Sequence, residues 1–338
     1  MKKISIIRKY SAILAMTVVL AVLFPLKACN EAAARTEEAT PVENTEETVP
    51  AEEPTPVVTT EESTNPLEEP TSVTSTEETT PVDETDGIIT MTTKASEYVY
   101  FVVAGAKDIA IDWGDGKKSN VNDAYQDEVK GRFTFSHVFS DETAKNIVIT
   151  GNITMLDCSY KHLTALDVSK SPALTHLGCV NNQLTDLDVS RNTALAFLYC
   201  NNNQLTALDV SRNTALIHLY CNDNQLIALD VSRNTALIRL DCRRNQLTAL
   251  DVSQNTALTH LDVCSNQITK LDMSANTALE MLCCHPNQLA ASALNDLFIS
   301  LPRVLYGFIY AAHGLPGCDK SIAEEKGWQF VPLHGFGK

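Results

Sequence analysis

The sequence predicts a solenoid, mostly β with short helical turns and a parallel sheet on its concave face, preceded by a small antiparallel β-sandwich. Cysteine recurs every 21 residues, at Cys158, Cys179, Cys200, Cys221 and Cys242; Val263 takes the next place and Cys284 resumes the series. Around these positions the phrase Leu-x-x-Leu-x-Cys-x-x-Asn-Gln-Leu recurs as well. A fixed period of this size marks stacked units, each able to bury its apolar face only against its neighbours. In front of them, residues 87–150 show short apolar alternations separated by turn residues, the pattern of strands. A stacked array presents a broad surface rather than a catalytic cleft.

The chain begins with Lys2, Lys3, Arg8 and Lys9, an apolar run from Ala12 to Phe24, and then Leu26-Lys27-Ala28-Cys29. A basic start, a short apolar stretch and a small residue before a cut site describe a secretory signal over residues 1–28. Leu-x-Ala-Cys resembles a bacterial lipobox, which implies lipidation of Cys29 and a membrane anchor there. Lys27 departs from the small or apolar residue usual in that motif.

Residues 29–86 form a linker rich in Thr, Glu and Pro. From residue 31 onward it carries 17 acidic residues against Arg35 alone. Such a segment buries too little apolar surface to offset its ordering entropy and is expected to be disordered. As a flexible coil it would hold its ends roughly 40 Å apart. Its net charge equals the −16 of the whole chain, so the acidity says nothing about a ligand of the folded part. No basic domain is present to neutralise phosphates, which argues against a nucleic-acid partner.

In the front domain, Tyr98–Val103, Ile109–Ile111, Phe133–Phe139 and Ile147–Thr150 read as strands. Trp113-Gly114-Asp115-Gly116, followed downstream by His137-Val138-Phe139, resembles the signature of the polycystic-kidney-disease-type β-sandwich. Asp112 and Asp115 suit either an Asp-Gly hairpin or a calcium ion. The domain is expected to seal the first coil, since solenoid ends need a cap.

Over residues 151–290 two leucine columns accompany the cysteines: Leu156 to Leu282, and Leu163 to Leu289 with Ile268 in the series. Side chains alternate along a strand, so in Leu-x-Cys the named residues face inward and x faces out. These are identified as bacterial leucine-rich repeats. They resemble the internalin J type, whose 21-residue repeats carry Cys in place of Leu and share the phrase Leu-Thr-x-Leu-Asp-Val-Ser-x-Asn-Thr-Ala-Leu. Surface lipoproteins of anaerobic Gram-negative bacteria share this text and often the β-sandwich in front. The resemblance implies a cell-surface protein that binds other proteins or cells, and with the lipobox it leads to the expectation of a monomer anchored in an outer membrane.

The ladder thiols are read as small buried hydrophobes. In-register side chains run parallel rather than converging, so a bridge, if one exists, involves Cys264, Cys283 or Cys318, which lie off the column. Asn182, Asn203, Asn224, Asn245, Asn266 and Asn287 are expected to satisfy backbone groups with both ends of the amide. A second series, Asn192, Asn213, Asn234, Asn255 and Asn276, should do the same on the opposite side. The Asp167, Asp188, Asp209, Asp230, Asp251 and Asp272 series repels itself and needs an offset, from turn amides or from calcium.

Outward strand positions vary from coil to coil and compose the candidate ligand face: His176, Phe197, Tyr199, His218, Tyr220, Arg239, Asp241, Arg243 and His260. Aromatic residues and Arg dominate binding energy at protein interfaces, and the three histidines suggest pH sensitivity. Past Leu289 the period lapses; Ser292–Leu301 reads as a helix, Val304–Tyr310 as a strand, and residues 291–338 as a C-terminal cap. No Ser/His/Asp, Cys/His or zinc-ligand spacing appears, so neither an enzyme nor a cofactor or metal site is expected. Two functions remain, protein binding or adhesion, and glycan capture in a nutrient-uptake system.

Overall fold

The structure, a computed structural model, describes residues 87–332 apart from 95–97, 106–107, 127–130, 142, 312–314 and 316. The signal segment, Cys29 and the linker lie outside the described residues. Seven strands precede the repeats: β1 (Ile88–Thr93), β2 (Tyr98–Gly105), β3 (Ala110–Asp112), β4 (Lys118–Asn120), β5 (Tyr125–Gln126), β6 (Arg132–Val138) and β7 (Lys145–Thr150). The first coil supplies β8 (Ile153–Asp157) and β9 (Leu163–Lys170). One short strand per coil follows: β10 (His176–Gly178), β11 (Phe197–Tyr199), β12 (His218–Tyr220), β13 (Arg239–Asp241), β14 (His260–Asp262) and β15 (Met281–His285). The C-terminal part adds α1 (Ala291–Ser300), β16 (Gly307–Ala311), α2 (Ser321–Glu324) and β17 (Trp328–Pro332).

β8 and then β10 through β17 pair in parallel, with Leu177 beside Leu198, Leu198 beside Leu219, and so on along the column, while β9 lies in the other sheet. This is a leucine-rich-repeat solenoid. The ladder thiols Cys158, Cys179, Cys200, Cys221, Cys242 and Cys284, with Val263 in the same column, have no accessible surface. Five further columns, headed by Leu156, Leu163, Leu166, Val168 and Leu174, line the same interior. Each buried leucine contributes about 1.5–3 kcal/mol, but only while the next coil covers it.

Two asparagines per coil hold the turns. Asn203 accepts from the Leu184 amide at 3.0 Å and donates to the Cys179 and Cys200 carbonyls at 2.9 and 3.0 Å. The second series behaves differently from the expectation. Asn213 donates to the Val189 and Asn192 carbonyls, both at 2.9 Å, but its Oδ1 has no hydrogen-bond partner, and the same holds for Asn192, Asn234, Asn255 and Asn276. Spending both donors on successive coils turns the oxygen toward the apolar interior, where no donor faces it.

The corner after each ladder residue from Cys158 to Val263 is left-handed: Tyr160, Asn181, Asn202, Asp223, Arg244 and Ser265 have φ between 51° and 61°. Asn and Asp tolerate this region best, which suits Asn181, Asn202 and Asp223. The aspartate series caps turns: Ser190, Ser211, Ser232, Ser253 and Ser274 amides donate to the carboxylate two residues earlier at 2.8–2.9 Å. For Asp188 and Asp209 the Ser190 and Ser211 hydroxyls lead in holding the carboxyl below its usual range, with the serine amides next.

The front segment is joined to the repeats rather than set apart from them. β2 lies antiparallel to β8, and β1 lies antiparallel to β9, so both sheets of the segment run on into the first coil. Trp113, Phe101 and Phe135 fill the space between them. In the Asp-Gly turn, Asp112 accepts from Gly114 N and Asp115 from Lys117 N, both at 3.0 Å, while His137 Nε2 sits 2.8 Å from Asp115 Oδ2 and stacks on Trp113. Both carboxylates are engaged by the turn's own donors.

Beyond the repeats, β16 and β17 extend the same parallel sheet. The strand expected from residue 304 begins at Gly307, because Val304 N instead bonds the Lys326 carbonyl at 2.9 Å.

Candidate functional site

The outward face of the sheet has two columns. One runs Met155, His176, Phe197, His218, Arg239, His260, Met281; the other runs Asp157, Gly178, Tyr199, Tyr220, Asp241, Asp262, Cys283. Parallel pairing in register brings same-column residues about 4.8 Å apart. All nine candidate residues lie on or beside this face and are half-buried rather than freely exposed, because they pack on one another.

His176 stacks on Phe197 at 4.4 Å, Phe197 meets His218 edge-on at 5.1 Å, and His218 lies parallel to Tyr220 at 6.1 Å. Tyr199 meets Tyr220 edge-on at 5.1 Å, and its hydroxyl is 3.4 Å from His218 Nδ1. Partial burial pushes the Tyr199 phenol up to about 12. The same burial, with the Arg239 charge, depresses His218 and His260 to about 4, His218 itself adding to the effect on His260. His176 is lowered by burial and then by Arg132. Desolvation favours the neutral imidazoles, so a pH response of these histidines is displaced to the acid side of the range where a free histidine titrates. Thr175 and Thr259 hydroxyls, each 2.8 Å from the Nδ1 of the next residue, fix the His176 and His260 rings.

The other half of the face is ionic. Arg239 hydrogen-bonds Tyr220. Arg243 spans Asp241 at 3.5 Å and Asp262 at 3.2 Å, and Arg244 reaches Asp223 at 3.3 Å. Burial raises both the Asp241 and Asp262 carboxyls, and the Asp262 charge adds to the rise at Asp241. Burial alone would lower the Arg243 guanidinium, but the two carboxylates outweigh it and raise it.

Sequence reasoning missed part of this face. Asp262 belongs to the ion cluster but was outside the candidate set, although it occupies the same register as Asp241. Phe308 and Tyr310 pair with Met281 and Cys283 and continue both columns onto β16. The available signal was the pair Ile309 and Phe330, which stand in register 21 residues apart, one repeat length, after the repeated text has lapsed. At the other end Val102 pairs with Asp157, so the face also continues onto β2.

At the rim, Cys264 and Cys283 are joined by a disulfide with Cα atoms 5.6 Å apart. This is the off-column bridge the sequence allowed. Asp262, Cys264 and Cys283 lie close enough together to suggest metal ligands, but both sulfurs are spent in the bond. Among the described residues no helix is long and apolar enough to cross a membrane.

No protein-family model and no curated protein matches the chain. Solved structures do resemble it. The functional domain of InlJ from Listeria monocytogenes, described as including a cysteine ladder, is 39% identical over 52% of this chain and 38% of that one, with a TM-score of 0.44. The internalin InlF of Listeria monocytogenes is 25% identical over 47% and 48%, with a TM-score of 0.40. A leucine-rich-repeat protein of Leptospira interrogans is 19% identical over 52% and 53%, with a TM-score of 0.42. The chain thus spans between about a third and a half of the length of these relatives.

Proposed function

We propose that this chain is a cell-surface lipoprotein that binds other proteins through the open face of its sheet, in an adhesion role. One observation carries the reading. Inward columns repeat one residue type with few exceptions, whereas outward positions change from coil to coil and collect Phe197, Tyr199, Tyr220, Arg239 and Arg243 on or just past three neighbouring strands. A scaffold alone would not require that variation, and these residue types are the ones that anchor protein interfaces.

Glycan capture is the second reading, favoured by the aromatic content of the face. Sugars stack on open ring faces, however, and here the His176–Phe197 and His218–Tyr220 rings stack on one another. The ionic half of the face, with Arg243 between Asp241 and Asp262, suits protein side chains better. Export and anchoring through Cys29 belong to the same proposal, with the acidic linker lifting the repeats away from an outer-membrane surface.

Arrays of surface proteins and of glycans probed with the purified chain separate the two readings. Protein hits that fall at least tenfold in Tyr199→Ala plus Tyr220→Ala support the first. Glycan hits with the same dependence support the second, and hits indifferent to both substitutions reject the face. Palmitate incorporation abolished by Cys29→Ser supports the anchor; incorporation that persists rejects it.

A further inference from the structure

One position of the face lacks a side chain. Gly178 stands in the column Asp157, Gly178, Tyr199, Tyr220, with extended neighbours on both sides. The three atoms nearest to a methyl group placed there all belong to the β8 side: Asp157 Oδ1 at 3.2 Å, Asp157 Cγ at 3.4 Å and Ser159 Oγ at 3.5 Å. Tyr199, on the other side, leans away. Among the described residues its ring contact, with Tyr220, and its hydroxyl contact, with His218, are both with β12. On the β10 side it adjoins only the side-chain-free Gly178, with the Asp157 carboxylate beyond. Two strand spacings, roughly 10 Å, separate the β8 and β11 backbones, and the Asp157 carboxylate leans toward the Gly178 floor, so the space between suits one slender or planar side chain.

The rest of the face shows what such a setting takes. Where Tyr220 adjoins Asp241 and Asp262, the chain's own Arg239 and Arg243 occupy the space, one bonded to the tyrosine and the other bridging the carboxylates. Beside Asp157, Lys161 places its Nζ over the Tyr100 ring, 3.4 Å from the centroid. Among the described residues Asp223, Asp241 and Asp262 each hold an arginine in an ion pair, and Asp157 holds none. Asp157 Oδ1 accepts from Ser159 N at 3.0 Å, which fixes the carboxylate beside the gap.

We propose that the gap over Gly178, walled by Tyr199 and Asp157, receives a lysine or arginine side chain from the bound polypeptide. This rests on the reading of the face as a protein-binding surface and names one chemical demand it makes of its partner. The cation would lie against the Tyr199 ring and toward the Asp157 carboxylate, joining cation–π attraction to charge pairing. A sugar would gain from the ring but not from the carboxylate's full charge.

The test is an amide-resolved NMR titration of the isotopically labelled full chain with four probes: N-acetyl-arginine methylamide, the lysine equivalent, the uncharged citrulline equivalent and a methyl glucoside. The proposal expects Gly178 and Tyr199 amides to shift with arginine or lysine, at least fivefold more weakly with citrulline, and not with the glucoside. Asp157→Asn keeps an acceptor for Ser159 N and removes the charge; it should weaken the cationic probes about tenfold. Gly178→Tyr extends the existing tyrosine column once the Asp157 side chain, 3.2 Å from the new Cβ, swings aside, and it should abolish the shifts. Equal response to citrulline, response to the glucoside alone, no shift at Gly178 at any probe concentration, or shifts that survive Gly178→Tyr would each overturn the proposal. If an array partner is lost in the double tyrosine variant but binds Gly178→Tyr normally, the face stands and the gap does not.

Discussion

Replacing Asn224 by alanine should unfold the middle of the array more readily than any change on its open face. The amide of Asn224 makes four buried hydrogen bonds: Leu205 N donates to Oδ1 at 3.0 Å, and Nδ2 donates to the Cys200 and Cys221 carbonyls, both at 3.1 Å, and to the Asn222 carbonyl at 3.4 Å. Alanine strands the Leu205 amide in a place water does not reach, while the Cys200 and Cys221 carbonyls lose one donor each and keep another, Asn203 and Asn245 Nδ2. The stranded amide costs about 1–3 kcal/mol and each other lost bond about 0.5–1.5, so a loss of about 2–4 kcal/mol follows. The neighbouring ladder residue provides a control. Val263 already occupies that column with no accessible surface, so Cys221→Val should cost less than about 1.5 kcal/mol. Urea unfolding followed by circular dichroism measures both, and hydrogen exchange should show the loss centred on β11 to β13, because coils couple chiefly to their neighbours. An Asn224→Ala penalty below about 1 kcal/mol, or a Cys221→Val penalty that exceeds it, would refute the reasoning.

Three other outcomes are expected. His218 and His260 protonate near pH 6.5 when unfolded but only at about 4 when folded; between those values the unfolded chain binds more protons, so stability falls as pH drops from 6.5 to 4. Allowing for their half-exposure, about 1 kcal/mol each is at stake, and His218→Gln with His260→Gln should flatten that limb in urea titrations at stepped pH; an unchanged limb counts against it. The raised Asp241 carboxyl works in the opposite sense: the folded state holds its proton longer, so its contribution is lost as pH rises above the ordinary carboxylate range. Asp241→Asn should therefore lose less stability than the parent between pH 5 and 8, and a steeper loss would contradict the assignment. The Cys264–Cys283 disulfide closes a separation of 19 residues, and Cys283→Ser should cost about 3 kcal/mol with faster exchange confined to β14 and β15; an unshifted urea midpoint would show that the bond does not constrain the fold.

The parts of the fold legible in the sequence are those that stacking makes identical. A column such as Leu198, Cys200 and Leu205 must repeat in kind because each member packs on its copy one coil away, and the text carries that demand openly. The second asparagine column was legible as scaffold, but Asn213 Oδ1 was not, since its orientation depends on where two carbonyls from successive coils lie. The pairing of β1 with β9 and of β2 with β8 joins residues more than 50 positions apart and leaves no period behind. Phe308 and Tyr310 went unseen because α1 lengthens the coil that precedes them, so their alignment with Met281 and Cys283 is spatial only. On the open face the residue types were readable, but their charge states were not: the neutral histidines and raised aspartates arise from mutual burial.

Thiol accessibility tests the central arrangement most directly. Native protein treated with a maleimide and mapped by mass spectrometry should leave Cys158, Cys179, Cys200, Cys221, Cys242 and Cys284 unmodified until denaturant is added, while the partly exposed Cys318 reacts. Burial raises the ladder thiols, leaving little reactive thiolate even where a reagent approaches. Modification of Cys200 or Cys221 in the folded chain would place the ladder on the surface and contradict the account.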